Sequence, residues 1–329
     1  MKSLPPLFLE RLKTVIPEDH LEAVLQSFSL RRPLSVRLNT LKSQSNPVLE
    51  MLVQENIAFE PVVWYKDALI LNDGASQDLR KTDLIRLRLH TTDVSLGSFI
   101  SQGYLYLQGL SSMLPALVLN PQPGERVLDL CAAPGSKTTQ MVCLMQNQGS
   151  LLAVEPIRDR YYKLRSIVSQ SGAKIVRFKR MDGRRLRVPP TERPFDKILV
   201  DAPCSCEGRF RIDEPKTYAY WSLRKIREMA RKQKGLLLNA SRLLKANGIL
   251  VYSTCSFAPE ENEAVVDWFL RKTEGRFRPL PISLKGISTY PVLTQWQDRP
   301  FHPEIRHGLR VLPDDQMEGF FMARLMRLS

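Results

Sequence analysis

A chain of 329 residues is long enough to bury one large domain and a smaller one, and with 43% hydrophobic and 25% charged residues it is neither fibrous nor disordered. Its 48 Lys and Arg against 34 Asp and Glu leave a net charge of +14, an excess that favours a polyanionic partner, nucleic acid or an anionic membrane surface, over a neutral one. The 5 cysteines, at 131, 143, 204, 206 and 255, do not form a disulfide framework, and Met1-Lys-Ser-Leu-Pro-Pro lacks the apolar run of a secretory leader, so a cytoplasmic protein without a membrane span is expected.

Apolar residues recur at helical spacing at Phe8, Leu12 and Val15 and again at Leu21, Val24, Leu25 and Phe28, which predicts two short helices. Ser35 to Thr40 alternates like a strand, Asn46-Pro-Val opens a helix through about Ile57, and Pro61 to Leu71 reads as one or two strands. This small α+β domain carries Arg31, Arg32, Arg37, Lys42, Arg80, Lys81, Arg86 and Arg88, which suit either a phosphate-tracking surface or a merely solvated one. A further helix, a strand at Tyr104 to Gln108 and a helix from Ser111 follow, and the boundary is placed between residues 105 and 106.

Beyond the Pro121-Gln-Pro-Gly124 turn, strand and helix alternate regularly. Strands are expected at Arg126 to Leu130, Ser150 to Val154, Lys174 to Phe178, Asp196 to Val200 and Gly248 to Tyr252, with helices near 137–147, 158–171, 223–246 and 260–272. Continuous apolar runs separated by helical lengths indicate an α/β doubly wound, mostly parallel Rossmann-like sheet over 106–329. Gly308 to Pro313 and Gly319 to Met326 read as an antiparallel edge hairpin.

In such a sheet, ligands lie beyond the carboxyl ends of the strands. Asp129-Leu-Cys-Ala-Ala-Pro-Gly-Ser-Lys-Thr-Thr139 is a small-residue loop opening a helix, but neither a dinucleotide fingerprint nor a Walker loop. Glu155 ends the second strand and Asp182 follows the third, one acid per strand end, as a nucleoside-bearing cofactor requires; capping of the following helices is the alternative. S-adenosyl-L-methionine fits this pattern without a phosphate site. Asp201-Ala-Pro-Cys204 puts an acid and a thiol at one strand mouth, and Thr254-Cys255 puts a second thiol at another. Cys204 is the first candidate nucleophile, and spacing does not separate it from Cys255. Cys204-Ser-Cys206 without a partner pair or a His cluster is poor zinc spacing, so no metal is expected. Arg177-Phe-Lys-Arg-Met-Asp-Gly-Arg-Arg-Leu-Arg187, with Arg209 and Arg211, is a basic cluster suited to RNA phosphates.

Val127 to Gln140, Asp201-Ala-Pro-Cys204 and Tyr252-Ser-Thr-Cys-Ser-Phe-Ala-Pro-Glu-Glu-Asn-Glu263 resemble the successive motifs of the Sun family of RNA cytosine-C5 methyltransferases, most like the bacterial small-subunit rRNA enzymes of the RsmF (YebU) type. Ser35 to Lys42, Gln108 to Pro115 and Met317 to Leu325 resemble that family's flanking patterns, so the likeness covers nearly the whole chain. It implies an RNA-docking role for 1–105, methyl transfer from S-adenosyl-L-methionine by a monomer, and rRNA or the small ribosomal subunit as partner, with tRNA second. It assigns Cys255 as nucleophile and Cys204 to product release. Asp201 would contact the N3/N4 edge of cytosine, with Lys137 near the reacting centre. Cys131, Ala132, Ala133, Pro134, Gly135, Ser136 and Lys137, with Glu155, Arg160, Asp182 and Asp201, would hold the cofactor, while Cys131 and Cys143 otherwise serve packing. The chemistry requires a thiolate to add to C6 so that C5 becomes nucleophilic, and Lys137 and helix dipoles are expected to favour that thiolate. DNA methylation is disfavoured, because it places the nucleophile in the Pro-Cys motif. A non-catalytic RNA-binding assembly factor is the reading of another class, and Lys137, Asp201, Cys204 and Cys255 together argue against it. Two departures stand out. Cys206 occupies a usual glycine position, strained if that position requires positive φ, and Arg211-Ile-Asp-Glu-Pro215 is one residue longer than the pattern.

Overall fold

In a computed structural model, residues 3–42, 46–71, 96–189 and 191–329 are described. The two N-terminal helices, Pro6–Val15 and Glu18–Ser27, form where the apolar spacing places them. Strands β1 (Leu34–Leu38), β2 (Phe59–Pro61), β3 (Ala68–Leu71) and β4 (Leu105–Leu107) make an antiparallel sheet of order β2-β3-β1-β4. Helices Asn46–Gln54 and Leu96–Ser101 pack on it through Leu52, Leu69, Leu71, Leu96 and Leu105.

One basic residue of this unit is not where a phosphate-binding surface requires it. Arg37 lies on β1, the strand flanked on both sides, and is 1% exposed. Its guanidinium donates to Gln108 Oε1 at 3.0 Å and Thr139 Oγ1 at 2.7 Å and lies over the Tyr106 ring, so it ties the small sheet to the large domain. Cys143 belongs to the same seam, accepting from Arg37 and donating to Asn39 Oδ1. Arg31 pairs with Asp213 and Lys42 donates to the Gln102 carbonyl. Arg80, Lys81, Arg86 and Arg88 lie outside the described residues.

The large sheet comprises β5 (Arg126–Asp129), β6 (Ser150–Val154), β7 (Val176–Lys179), β8 (Phe195–Asp201), β9 (Leu244–Thr254) and β10 (Phe277–Leu280), then, beyond a short ribbon of β11 (Gln295–Trp296) and β12 (Arg299–Pro300), β13 (Leu309–Val311) and β14 (Phe320–Arg327). Its order is β10-β14-β9-β8-β5-β6-β7, parallel from β9 to β7, with β14 antiparallel to β9. The expected edge hairpin is present, Leu309 opposite Met322, and β10 extends the same edge of β14. Helices Ser136–Leu144, Arg158–Gln170, Leu223–Leu243 and Glu263–Thr273 fill the intervals. The helix expected over 223–246 ends at Leu243, because Leu244 already pairs with Phe195 and a register shift absorbs Lys245 to Gly248 before Lys197 meets Ile249. Among the described residues, no helix is long and apolar enough to cross a membrane.

The N-terminal helices do not stop at the small sheet. Phe8 packs against Phe28, Phe210 and Trp221 with ring centroids 5.7, 4.9 and 5.7 Å apart, so the first helix sits on the loop that follows β8. On the other side of that loop a buried ion pair holds the sheet edge: Arg310 of β13 donates to both oxygens of Glu263 at 2.7 and 2.6 Å and to the Phe257 carbonyl. Glu263 is 0% and Arg310 4% exposed. Removing one partner of a buried pair strands the other charge, at about 3–5 kcal/mol. Glu263→Gln is therefore expected to lower the unfolding free energy by that order in urea denaturation; a loss below about 1 kcal/mol, typical of an exposed pair, would contradict the burial argument.

Candidate active site

Strands β8 and β9 run parallel with Asp201 opposite Ser253, so the loops that leave them emerge side by side. That adjacency brings together thiols 51 residues apart: Cys204 Sγ lies 3.3 Å from Cys255 Sγ and 3.9 Å from Cys206 Sγ. Below them, Asp201 accepts from Ser253 Oγ at 2.8 Å and pairs with Lys137 Nζ at 2.8 Å. Lys137 also donates to Ser112 Oγ at 2.7 Å. The expectation that Lys137 favours the thiolate needs correction, because its charge is engaged by Asp201. Arg209, in the loop after Cys206, acts electrostatically on all three thiols, and it is itself paired with Glu318 at 3.4 Å.

Three thiols this close do not ionise independently, since the first to lose its proton accepts from the others. Hydrogen bonding to Cys206 and then to Cys255, together with burial, pushes Cys204 well above the usual thiol range. Cys255 is drawn down by the Cys204 thiol, but Cys206 and burial outweigh this and leave it raised. Cys206 is pulled down to about 3 by hydrogen bonding with Cys204 and Cys255 and by the nearby Arg209, against burial.

Cys206 adopts φ 61° and ψ 27°, the left-handed region, so the position does require positive φ. A residue with a Cβ is strained there by about 1–2 kcal/mol. The loop has no room to relax at the next glycine: a Cβ on Gly208 would meet the Gly319 carbonyl oxygen at 2.2 Å. The Gly208 amide donates to the Cys255 carbonyl at 2.9 Å, which locks the two thiol-bearing loops together. The longer stretch from Arg211 to Pro215 is also held: Arg211 pairs with Asp213 and Glu214, and Trp221 donates to Glu207 at 2.7 Å.

The residues that sequence reasoning passed over are buried acids behind the thiols. Glu261 is 0% exposed and accepts from the Ser205 amide at 2.9 Å and Gln233 Nε2 at 3.0 Å. Glu207 accepts from Ser256 Oγ at 3.2 Å and the Phe257 amide at 3.0 Å. Asn262 bridges Thr254 Oγ1 and the Ser256 carbonyl. Pro259-Glu-Glu-Asn-Glu263 contained the signal, an acidic run directly after a strand-end thiol, but charge runs ordinarily face water. Burial, reinforced by Glu207, raises the Glu261 pKa to about 8. An unfolded carboxyl titrates near 4.3, so the folded state binds the extra proton. Glu261's contribution to stability is then largest at acidic pH and falls as pH rises toward 8, by about 1.4 kcal/mol per unit crossed. Glu261→Gln is expected to flatten this fall in thermal midpoint between pH 5 and 8, and an unchanged slope would exclude Glu261 as its source.

The loop from β5 to helix Ser136–Leu144 places Cys131, Ala132, Ala133, Pro134, Gly135 and Ser136 at the adjoining strand end, with Ala132 and Ala133 buried and no side chain capping the helix. Gly135 has φ 117°, a conformation that side chains rarely adopt. Glu155, 2% exposed, accepts from the Ile157 amide at 2.9 Å and lies 3.7 Å from Arg160, which donates to the Ala133 carbonyl. Asp182 caps its own turn and is gripped by Arg184, whose hydrogen bonds lower its pKa. Asp129, unremarked in the sequence as a site residue, accepts from Thr138 Oγ1 at 2.7 Å, and burial raises its pKa to about 7.

The family described as 16S rRNA methyltransferase RsmB/F matches residues 116–326, and an RsmF/B-like ferredoxin-like domain matches residues 4–77. The tRNA (cytosine(49)-C(5))-methyltransferase of Pyrococcus abyssi is 36% identical over 303 residues, covering 91% of this chain and 90% of that protein. The chain belongs to the RsmB/F family of RNA cytosine-C5 methyltransferases. Ribosomal RNA small subunit methyltransferase F of Serratia proteamaculans is 36% identical over 98% of this chain, which spans 63% of that relative. A mouse 28S rRNA (cytosine-C(5))-methyltransferase is 33% identical, and the chain spans 38% of its length. The crystal structure of a methyltransferase homologue from Pyrococcus horikoshii superposes with TM-score 0.74 at 28% identity, covering 99% of this chain and 100% of that one. NSun6 of the same organism, with a TM-score of 0.80 over 100% of this chain and 99% of its own at 22% identity, shares the fold.

The methyl donor of this RsmB/F enzyme is S-adenosyl-L-methionine. The strand-end residues fit it: small side chains at Ala132 and Ala133, helix amides left without a side-chain cap, and a buried Glu155 held in place by backbone and Arg160. Phosphate is not called for by this donor set.

Proposed function

We propose that this RsmB/F-family enzyme methylates C5 of a cytosine in ribosomal RNA, with Cys255 as the nucleophile. The observation that carries this reading is the 3.3 Å approach of Cys204 and Cys255 beside the Lys137–Asp201 pair. One thiolate is needed to add to C6 of the base, and a second group must act before the ring is released. Asp201, fixed by Ser253 and Lys137, presents its carboxylate toward the N3/N4 edge, where charge changes as C6 is attacked. When bound, the cofactor would supply an electrophilic methyl group, and Cys131 to Lys137, Glu155, Arg160, Asp182 and Asp201 would be the residues to hold it. Methylation leaves a proton on C5 that must depart before Cys255 is expelled, and Cys204 is placed to assist that release.

The rRNA substrate follows the description of the matched family and the small-subunit relatives. A tRNA substrate is the second reading, favoured by the Pyrococcus abyssi enzyme, 90% of whose length this chain covers. Incubation with labelled S-adenosyl-L-methionine and, separately, rRNA, small subunits, tRNA and DNA decides between them. Label in 5-methylcytosine of rRNA is expected; label confined to tRNA would establish the second reading, and label in DNA alone would overturn both.

Arg177, Lys179, Arg180, Arg184, Arg185 and Arg187 are exposed and form the RNA-facing rim in this reading, with the N-terminal unit as the docking domain; that unit runs through β4 (Leu105–Leu107), across the boundary expected between 105 and 106. With about five phosphate contacts, RNA affinity is expected to fall roughly 100-fold between about 50 and 200 mM salt. Filter binding across that range measures it, and a flat response would remove the rim from the interface.

A further inference from the structure

We propose that Cys204, Cys206 and Cys255 form a binding site for a thiophilic d10 cation, Zn2+ or Cu+, and that its occupation reversibly withholds the catalytic thiols. The inhibitory consequence, though not the binding, rests on the roles assigned above to Cys204 and Cys255. The sequence argued against a metal because Cys204-Ser-Cys206 has no second pair nearby in the chain. The fold supplies the missing ligand from the neighbouring strand end, and the three Sγ atoms lie within 4.8 Å of one another. A Zn–S bond of about 2.3 Å sets ligand sulfurs roughly 3.8–4.0 Å apart in tetrahedral or trigonal geometry. The 3.9 Å from Cys204 to Cys206 falls within that range, while the 3.3 Å from Cys204 to Cys255 is about half an ångström short of it, so closing the site requires those two sulfurs to move slightly apart.

Ligand chemistry selects the ion. Among the described residues this cluster contains sulfur alone, without His or carboxylate, which favours Zn2+ or Cu+ and excludes Mg2+ and Ca2+. Each thiol gives its proton to solvent as its sulfur–metal bond forms. A Zn2+ ion with three thiolates carries one net negative charge, and the Arg209 guanidinium, paired with Glu318 in the same region, lies within electrostatic reach of all three sulfurs. A fourth position remains for water. Cys206 is the residue that makes the site, since it completes the triad from a backbone position, φ 61°, where glycine would be unstrained.

The test uses the full chain, reduced and stripped of metal with a chelator that is then removed. Added Co2+ is expected to produce an intense near-ultraviolet thiolate-to-metal absorption saturating at one ion per chain, which Zn2+ displaces. Zn2+ is expected to abolish RNA methylation over the same titration, and EDTA to restore it. Cys206→Gly suits the left-handed backbone and is expected to bind Co2+ and Zn2+ at least about 100-fold more weakly, the upper end of the loss from disturbing even an outer-shell partner, and to methylate RNA in the presence of Zn2+. Absence of the charge-transfer band in the wild type, or equal affinity in Cys206→Gly, would overturn the site. Stripped wild-type protein that binds Co2+ but methylates no RNA would instead count against the proposed catalytic roles while leaving the metal site standing.

Discussion

Cys255→Ala is expected to lower methyl transfer by at least about four orders of magnitude, the scale on which loss of a covalent nucleophile is felt. Cytosine C5 is too weak a nucleophile to attack a sulfonium methyl until a thiolate has added at C6, so an alanine leaves the ring unactivated whatever else is intact. The substitution removes one half-buried sulfur from a loop held by backbone and by Glu207, Glu261 and Asn262, so the fold is expected to survive it. Circular dichroism and cofactor binding then separate lost chemistry from lost structure. Full activity in Cys255→Ala would return the nucleophile's role to Cys204.

Cys204→Ala is expected to fail at a different step and to leave a different trace. The C6 bond still forms, because Cys255 and the Lys137–Asp201 pair are untouched, but the thiol 3.3 Å from Cys255 that assists release is gone. The enzyme should accumulate on its RNA as a denaturant-resistant, slow-migrating band, with turnover reduced by about 100-fold or more, the size of a general acid–base contribution. A Cys204→Ala enzyme that turns over normally without such a band would remove Cys204 from the release step.

Much of this was legible because buried parallel strands advertise themselves. Val127-Leu-Asp, Ile198-Leu-Val-Asp and Leu250-Val-Tyr are continuous apolar runs, each ending at a polar mouth, and together they order the loops that bear Lys137, Asp201, Cys204 and Cys255. What stayed hidden depended on the third dimension. Arg37 sits in an alternating strand that looks half exposed, yet pairing on both sides and the helix Ser136–Leu144 cover it. Glu261 and Glu263 lie at the start of the helix expected near 260–272, where acids ordinarily face water, while the structure buries both, one under Ser205 and Gln233 and the other against Arg310. Lys137 was expected to serve the thiols and is engaged by Asp201 instead, a partner 64 positions away. Cys206 posed a question that only its φ answers.

The most direct test of the covalent step follows the bond itself. Wild-type enzyme, S-adenosyl-L-methionine and RNA containing 5-fluorocytosine form an adduct that cannot resolve, because fluorine replaces the departing C5 proton. Digesting that adduct and sequencing the RNA-linked peptide by mass spectrometry identifies the sulfur attached to C6. The linkage is expected at Cys255, within Tyr252-Ser-Thr-Cys-Ser256; linkage at Cys204 would contradict the division of labour proposed for the two thiols.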